Sequence, residues 1–228
     1  MGWASKFTIR YARVRIGRIE MTDPATAASE AATVRKARRD EAGAICRTLT
    51  RAFFDDPVTS WFMPERERRA KQLPRAFRLG IRHVYMPHEE SYVTEGGVGA
   101  ALWHPPGTWE VGVGRQLLML PALIRAYGRD LSRSLRGFNL ITAEHPRRPP
   151  HWYLPFIGVD PDWQGRGIGT ALLRPVLDRC DREGMPAYLE ASTPRNRACY
   201  ERNGFEVTGT ITLPDGPPLW KMWREPGA

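Results

Sequence analysis

The sequence predicts an α/β domain, a mixed sheet flanked by helices, and three stretches predict it. Residues 153–170 form an apolar run, a Pro-containing turn and a glycine-rich loop that opens a helix carrying Ala171, Leu172, Leu173, Val176 and Leu177. Ala187–Ala191 reads as a short buried strand, and Ser192-Thr193-Pro194 after it opens a second helix. Ser91–Thr94 and residues 98–103 flank Glu95-Gly96-Gly97, a hairpin signal. The chain has 228 residues, 42% hydrophobic and 26% charged, enough for one sizeable core, so residues 31–228 are expected to form a single domain.

Taken in order, residues 1–30 stand apart: Lys6, Arg10, Arg13, Arg15 and Arg18 read as a disordered basic extension rather than an organelle transit sequence. The first strand is expected over residues 33–37, with Asp40 as N-cap of a helix that runs to about Phe54 and buries Ile45, Leu49, Ala52 and Phe53. Asp55-Asp56-Pro57 ends it as turn chemistry rather than as an acid pair. Trp61, Phe62 and Met63 belong either to the core or to a pocket wall. Residues 64–86 are a charged amphipathic helix that Pro74 should break or kink. After the hairpin, residues 114–141 are mostly helical with an interruption at Pro121, and Leu117, Leu118, Leu120, Leu123 and Ile124 form an apolar side expected to face the core, with part of a substrate-pocket wall as the alternative. Residues 146–150 are a Pro/Arg linker into the central strand, and a last hairpin turns at Pro214-Asp215-Gly216.

Several function classes lose support at this level. No apolar run approaches membrane-spanning length, so no membrane partner is expected. A net charge of +9 suits an acidic ligand, but no aromatic-interleaved basic motif points to nucleic acid. Cys46, Cys180 and Cys199 are scattered without CxxC spacing, which fits a reducing, cytoplasmic setting. His83, His88, His104, His145 and His151 form neither HxxxH nor HExxH, so no metal is expected.

The loop Gln164-Gly165-Arg166-Gly167-Ile168-Gly169 is an anion-site candidate, because free N–H groups at a helix start point outward and the macrodipole favours negative charge there. It is not a P-loop, since Gly169 is followed by Thr170 and Ala171 rather than by Lys and Ser/Thr. A dinucleotide fingerprint fails on spacing at its sixth position, although Glu190 stands where a ribose-binding acid would, which keeps that reading open. One turn apart on the later helix, Asn196 and Tyr200 share a face.

Gln164, Gly167 and Gly169 fit the pattern Gln/Arg-x-x-Gly-x-Gly/Ala, which resembles the pyrophosphate loop of the GNAT N-acetyltransferase family, and the run Asn196-x-x-x-Tyr200-x-x-x-Gly204-Phe205 resembles that family's next segment. The resemblance implies a mainly antiparallel mixed sheet whose fourth and fifth strands splay to admit acetyl-CoA. It implies that the backbone of Ile157, Gly158 and Val159 meets the thioester carbonyl, and that residues Gln164, Gly165, Arg166, Gly167, Ile168, Gly169 and Thr170 hold the pyrophosphate. It implies further that Asn196 contacts the pantetheine arm and that Tyr200 protonates the leaving thiolate. Several family members place a general-base Glu on the fourth strand; the corresponding position here is near Tyr153, with no carboxylate, and His151 and Glu190 are the nearest, weak candidates. Pro175, the Pro194-Arg195-Asn196 triplet, the Pro214-Asp215-Gly216 turn and the final Pro226-Gly227-Ala228 resemble family members that acetylate puromycin. The expected reaction is acetylation of a primary amine of a small molecule, a puromycin-like antibiotic in the narrowest reading, which would make the protein a resistance enzyme. A protein amine, another metabolite or a non-catalytic acyl-CoA-binding regulatory role are the alternatives. The strands over residues 211–223 offer pairing to a second copy, and a homodimer is an open expectation.

Overall fold

The computed structural model describes residues 33–228; the expectation for residues 1–30 lies outside them. Seven strands make one sheet in the order β1-β2-β3-β4-β5-β7-β6: β1 Val34–Lys36, β2 Ser91–Thr94, β3 Gly99–His104, β4 Trp152–Val159, β5 Ala187–Ala191, β6 Glu206–Thr212 and β7 Pro218–Arg224. All neighbours are antiparallel except β4 and β5, which run parallel and are joined by helix α6, Ile168–Glu183. A parallel pair needs such a crossover.

The sheet separates two cores, and β3 shows how. Ala100 and Leu102 face one side, with Ile45 and Leu49 of helix α1 (Ala42–Phe53), Trp61 and Phe62 of α2 (Pro57–Phe62), and Leu73 and Phe77 of α3 (Arg66–Gly80). Ala101 and Trp103 face the other, with Leu172, Leu173, Val176 and Leu177 of α6. The period of two along the strand feeds both layers, and each of those four α6 side chains contributes about 1.5–3 kcal/mol by burial.

Two expectations about helix ends need correction. Asp40 does not cap α1, because a 3-10 turn, Arg39–Glu41, precedes the helix; the Glu41 carboxylate instead accepts the Arg38 backbone N–H at 2.8 Å. Pro74 and Pro121 do not break their helices: α3 runs through the first, and α4, Val113–Tyr127, runs through the second. Each proline removes one ladder hydrogen bond, and in α3 buried Leu73 and Phe77 anchor the turns on either side.

A larger correction concerns α4. Most of its apolar residues do not face the core: Leu118 is 85% exposed, Leu117 65%, Ile124 50% and Leu120 41%, while Leu123 packs against the core and Ala126 and Tyr127 in the last turn are buried. The helix leads through a short turn to α5, Leu131–Glu144, whose Gly137 is the close contact: a Cβ there would meet the Trp61 and Phe62 rings at 2.7 Å. Among the C-terminal strands, β7 lies between β5 and β6, so only β6 has a free edge for another chain. No helix among the described residues is long and apolar enough to cross a membrane.

Candidate active site

The site begins where β4 and β5 part. They pair only at Trp152↔Ala187, Tyr153↔Tyr188 and Leu154↔Leu189; beyond this β5 continues against β7 alone and β4 against β3 alone. A bulge marks the parting. Leu102 opposes Phe156 and His104 opposes Tyr153, so one β3 residue faces two on β4, Leu154 and Pro155. Pro155 has no N–H to pair. On the far side of the bulge, the Asp160 N–H reaches back to the Val98 carbonyl at 2.8 Å. Alternation along an antiparallel pair then turns the N–H groups of Phe156 and Gly158 toward β3, and those of Ile157 and Val159 toward the open edge. Of the three strand residues expected to meet a carbonyl, Ile157 and Val159 thus present donors to the gap. Gly158 serves packing instead, since a Cβ on it would stand 2.8 Å from Ala52 Cβ and Leu49 Cδ2.

The strand delivers the chain to the glycine loop at the start of α6. Gly165 and Gly167 have φ of 80° and 79°, the left-handed region that favours glycine, and nothing lies within 4 Å of the place where a Cβ on Gly165, Gly167 or Gly169 would stand. The backbone therefore faces open space with the first N–H groups of a sixteen-residue helix, a cradle that fits a diphosphate. Gln164 is occupied as a brace: its amide donates to the Val159 carbonyl at 3.1 Å and accepts from Arg195 at 3.0 Å. Arg166 lies over the Trp163 ring, 4.8 Å from the centroid. Ile168 is 2% exposed and points into the core, so only its backbone faces the loop, while the Thr170 hydroxyl accepts from Asn203 at 3.4 Å.

Helix α7, Pro194–Glu201, starts where its sequence predicts: Thr193 accepts the Asn196 N–H at 3.1 Å and Pro194 fills the first turn. Tyr200 is buried under it. Burial first, and then Cys199 and Asp56, raise its phenol above the ordinary value of 10, so the hydroxyl keeps its proton at neutral pH. Asn196 is half-buried and donates to Ser192 at 3.4 Å, and Ser192 donates to Asp56 at 2.5 Å. Asp56 also caps α2, accepting from the Val58 and Thr59 N–H groups at 2.9 Å. The turn role expected of Asp56 is present, and with it a link to the Asn196–Tyr200 helix that no local pattern announces, because 136 residues separate Asp56 from Ser192.

On the α1 side of the parting lies a buried polar cluster. Glu190, the first β5 residue past the last β4 pair, accepts the Tyr153 hydroxyl at 3.0 Å. Burial pushes its carboxyl up to about 7, against the pull of the Tyr153 hydrogen bond. His145 Nδ1 lies 3.9 Å from the other carboxylate oxygen, and His145 Nε2 lies 3.1 Å from His151 Nε2. Burial, followed by neighbouring His151, lowers His145 to about 3, and burial lowers His151 as well. Of the two weak base candidates, Glu190 is the one at the parting; His151 sits behind His145. Beyond them opens a cleft of about 360 Å³ lined by Pro149, Tyr188, Lys221 and Trp223 among others. Among the described residues no group of three or more His, Cys, Asp or Glu is placed to hold a metal ion.

Comparison with known proteins gives this geometry its kinship. The sequence model of the acetyltransferase (GNAT) family matches residues 121–205. An uncharacterized N-acetyltransferase of Schizosaccharomyces pombe is 34% identical over 193 residues, covering 78% of this chain and 77% of its own. A solved Corynebacterium glutamicum chain, described as histone acetyltransferase HPA2 and related acetyltransferase, superposes with a TM-score of 0.66 at 28% identity, over 86% of this chain and 97% of that one. The fold is shared by the PaiA N-acetyltransferase of Thermoplasma acidophilum, solved in complex with coenzyme A, at a TM-score of 0.53 and 10% identity over 85% of this chain and 98% of that one. With the parted parallel strands and the glycine loop between them, these matches establish that the chain belongs to the GNAT family of N-acetyltransferases.

Proposed function

We propose that the protein transfers the acetyl group of acetyl-CoA to a primary amine of a small molecule, by direct attack of the neutral amine on the thioester carbonyl. The observation that carries this reading is the parted β4–β5 pair, with free backbone donors on β4, the Glu190 carboxyl on β5 and the protonated Tyr200 phenol on the helix that follows β5. The amine nitrogen bonds to the carbonyl carbon as the carbon–sulfur bond breaks. The Ile157 and Val159 N–H groups on the open edge stabilise the oxygen that gains charge. Tyr200 gives its proton to the departing thiolate, and Glu190 takes the proton released by the amine. The Gly165–Gly169 backbone holds the diphosphate of the cosubstrate, and Asn196, braced through Ser192 and Asp56, lies along the pantetheine arm.

A small acceptor is supported by the bridge between α2 and the β6–β7 turn. Trp61 Nε1 donates to the Pro214 carbonyl at 2.8 Å, and a Cβ on Gly216 would stand 2.4 Å from the Trp61 ring. That contact ties α2, whose N-cap Asp56 binds Ser192 beside α7, to the β6–β7 turn, a closed arrangement that favours a small acceptor over an extended polypeptide. The C-terminal resemblance makes puromycin the first amine to test. CoA release by the purified protein is expected to be acetyl-CoA- and amine-dependent, and Tyr200→Phe is expected to lower kcat by about 10²–10⁴-fold with acetyl-CoA binding retained. Turnover on histone-type peptides without turnover on any small amine would overturn the acceptor class, and an unimpaired Tyr200→Phe would remove the acid.

A further inference from the structure

We propose that His145 is the proton-sharing partner of Glu190, held in one tautomer by His151 and the Pro149 carbonyl so that a bare ring nitrogen faces the carboxyl; the inference rests on Glu190 being the base proposed above. The tautomer follows from hydrogen-bond chemistry alone. His151 Nδ1 lies 2.8 Å from the Pro149 carbonyl oxygen, and a carbonyl only accepts, so this nitrogen carries the hydrogen. In neutral His151 the other nitrogen, Nε2, is then an acceptor. His145 Nε2 lies 3.1 Å from it and supplies the hydrogen between them. One nitrogen of His145 is left without a proton, Nδ1, and it is the one 3.9 Å from Glu190 Oε1.

That carboxylate oxygen has no partner within hydrogen-bond geometry, whereas Oε2 receives the Tyr153 hydroxyl; the Tyr188 hydroxyl, itself buried without such a partner, also acts on the Glu190 carboxyl and is, among the described residues, the one other donor that could reach it. An ionised Glu190 thus faces lone pair toward lone pair across 3.9 Å, and a proton on Oε1 resolves the conflict, with Nδ1 accepting it once the two atoms close by about 1 Å. The ring cannot turn away easily: Trp109 lies on it with centroids 3.9 Å apart, and Tyr153 and Tyr188 meet it edge-on at 4.6 and 4.9 Å. The other titratable or charged groups around the pair are the Tyr188 hydroxyl on β5, which acts on the Glu190 carboxyl, His104 on β3, Glu144 at the end of α5, Arg147 in the linker and Lys221 on β7. In the proposed reaction the amine proton is transferred to Glu190 and is then shared with Nδ1, with no other bond made or broken. His145 is therefore a positioning residue that sets the pH at which the base is free.

The test is the pH profile of kcat/KM with a low-pKa primary amine for the native protein, Glu190→Gln and His145→Gln. The native profile is expected to rise through an acid limb near pH 7 and Glu190→Gln to lose that limb. A Gln side chain at 145 can offer N–H where the imidazole offers a lone pair, so His145→Gln is expected to move the limb down by at least one pH unit. A limb that survives in Glu190→Gln overturns the base reading. A limb lost in Glu190→Gln but unmoved in His145→Gln overturns this inference and leaves the base reading standing. Nitrogen NMR of the native protein tests the tautomers independently of any variant: hydrogen on Nε2 of His145 and on Nδ1 of His151 is expected, and the reverse assignment overturns the inference.

Discussion

Glu190 carries a cost that its neighbours do not remove. A carboxyl held near 7 when folded and near its ordinary 4.5 when unfolded binds more protons in the native state between those values, so its contribution to stability falls as pH rises through that window. The shift corresponds to about 3 kcal/mol above pH 7. Glu190→Gln is accordingly expected to raise stability at pH 8 by up to that amount, with the gain vanishing toward pH 4.5, as denaturant melts at the two pH values will show. A variant that is more stable but slower is the signature of a group kept for chemistry. The sequence shows Glu190 as a lone acid at the end of a strand. What it cannot show is that Tyr153, 37 residues earlier, and His145, 45 positions away, close around it, because only the β4–β5 register brings them together.

At the level of elements, Gly158 shows how tightly α1 lies on β4. Gly158→Ala puts a methyl 2.8 Å from Ala52 and Leu49, and is expected to cost about 1–3 kcal/mol, read as a lower denaturation midpoint at unchanged slope. Helix α4 gives the opposite result. Leu118→Gln exchanges one solvent-facing side chain for another and is expected to change stability by no more than about 0.5 kcal/mol. Strand β5 and the start of α7 are legible to the residue, since Ala187–Ala191 is a short run bounded by Pro186 and Ser192 that buries Ala187, Leu189 and Ala191 in one core, and Ser-Thr-Pro is helix-start chemistry with a mechanism. The α4 leucines mislead for an equally physical reason: helical periodicity reports that residues share a face, not that another element covers it. The pairing of Asp56 with Ser192 is illegible in the same way, as the cap role of Asp56 already accounts for its place in the turn.

Across the whole molecule the C-terminus is tied in by Arg224, whose side chain is 5% exposed. It donates to both Asp181 oxygens at 2.6 and 2.9 Å, to the Asn203 carbonyl at 3.0 Å and to the Ala228 carbonyl at 2.9 Å, joining β7, α6, the end of α7 and the last residue. Asp181→Asn leaves that guanidinium without its counter-charge. About 1–3 kcal/mol is expected, less than a fully buried pair because a third of the Asp181 side chain meets water. Arg224 holds the Asp181 carboxyl below its ordinary 3.8, so the stabilisation is complete at neutral pH and is lost as acid protonates Asp181 below that value; the difference between native and Asp181→Asn melts should close there.

The parting of β4 from β5 also divides the sheet into two lobes, four strands on one side and three on the other, stitched by three residue pairs. A cosubstrate lodged in that seam, as proposed above, would act as a surrogate strand. Its arrival should tighten the molecule most where the native weave is thinnest: amide exchange at Ile157 and Val159 should slow more than at Gly158, which β3 already protects, while the melting temperature climbs with acetyl-CoA concentration. The enzyme is then mechanically complete only when loaded, and the looseness that admits the cosubstrate is the same looseness that lets the product leave.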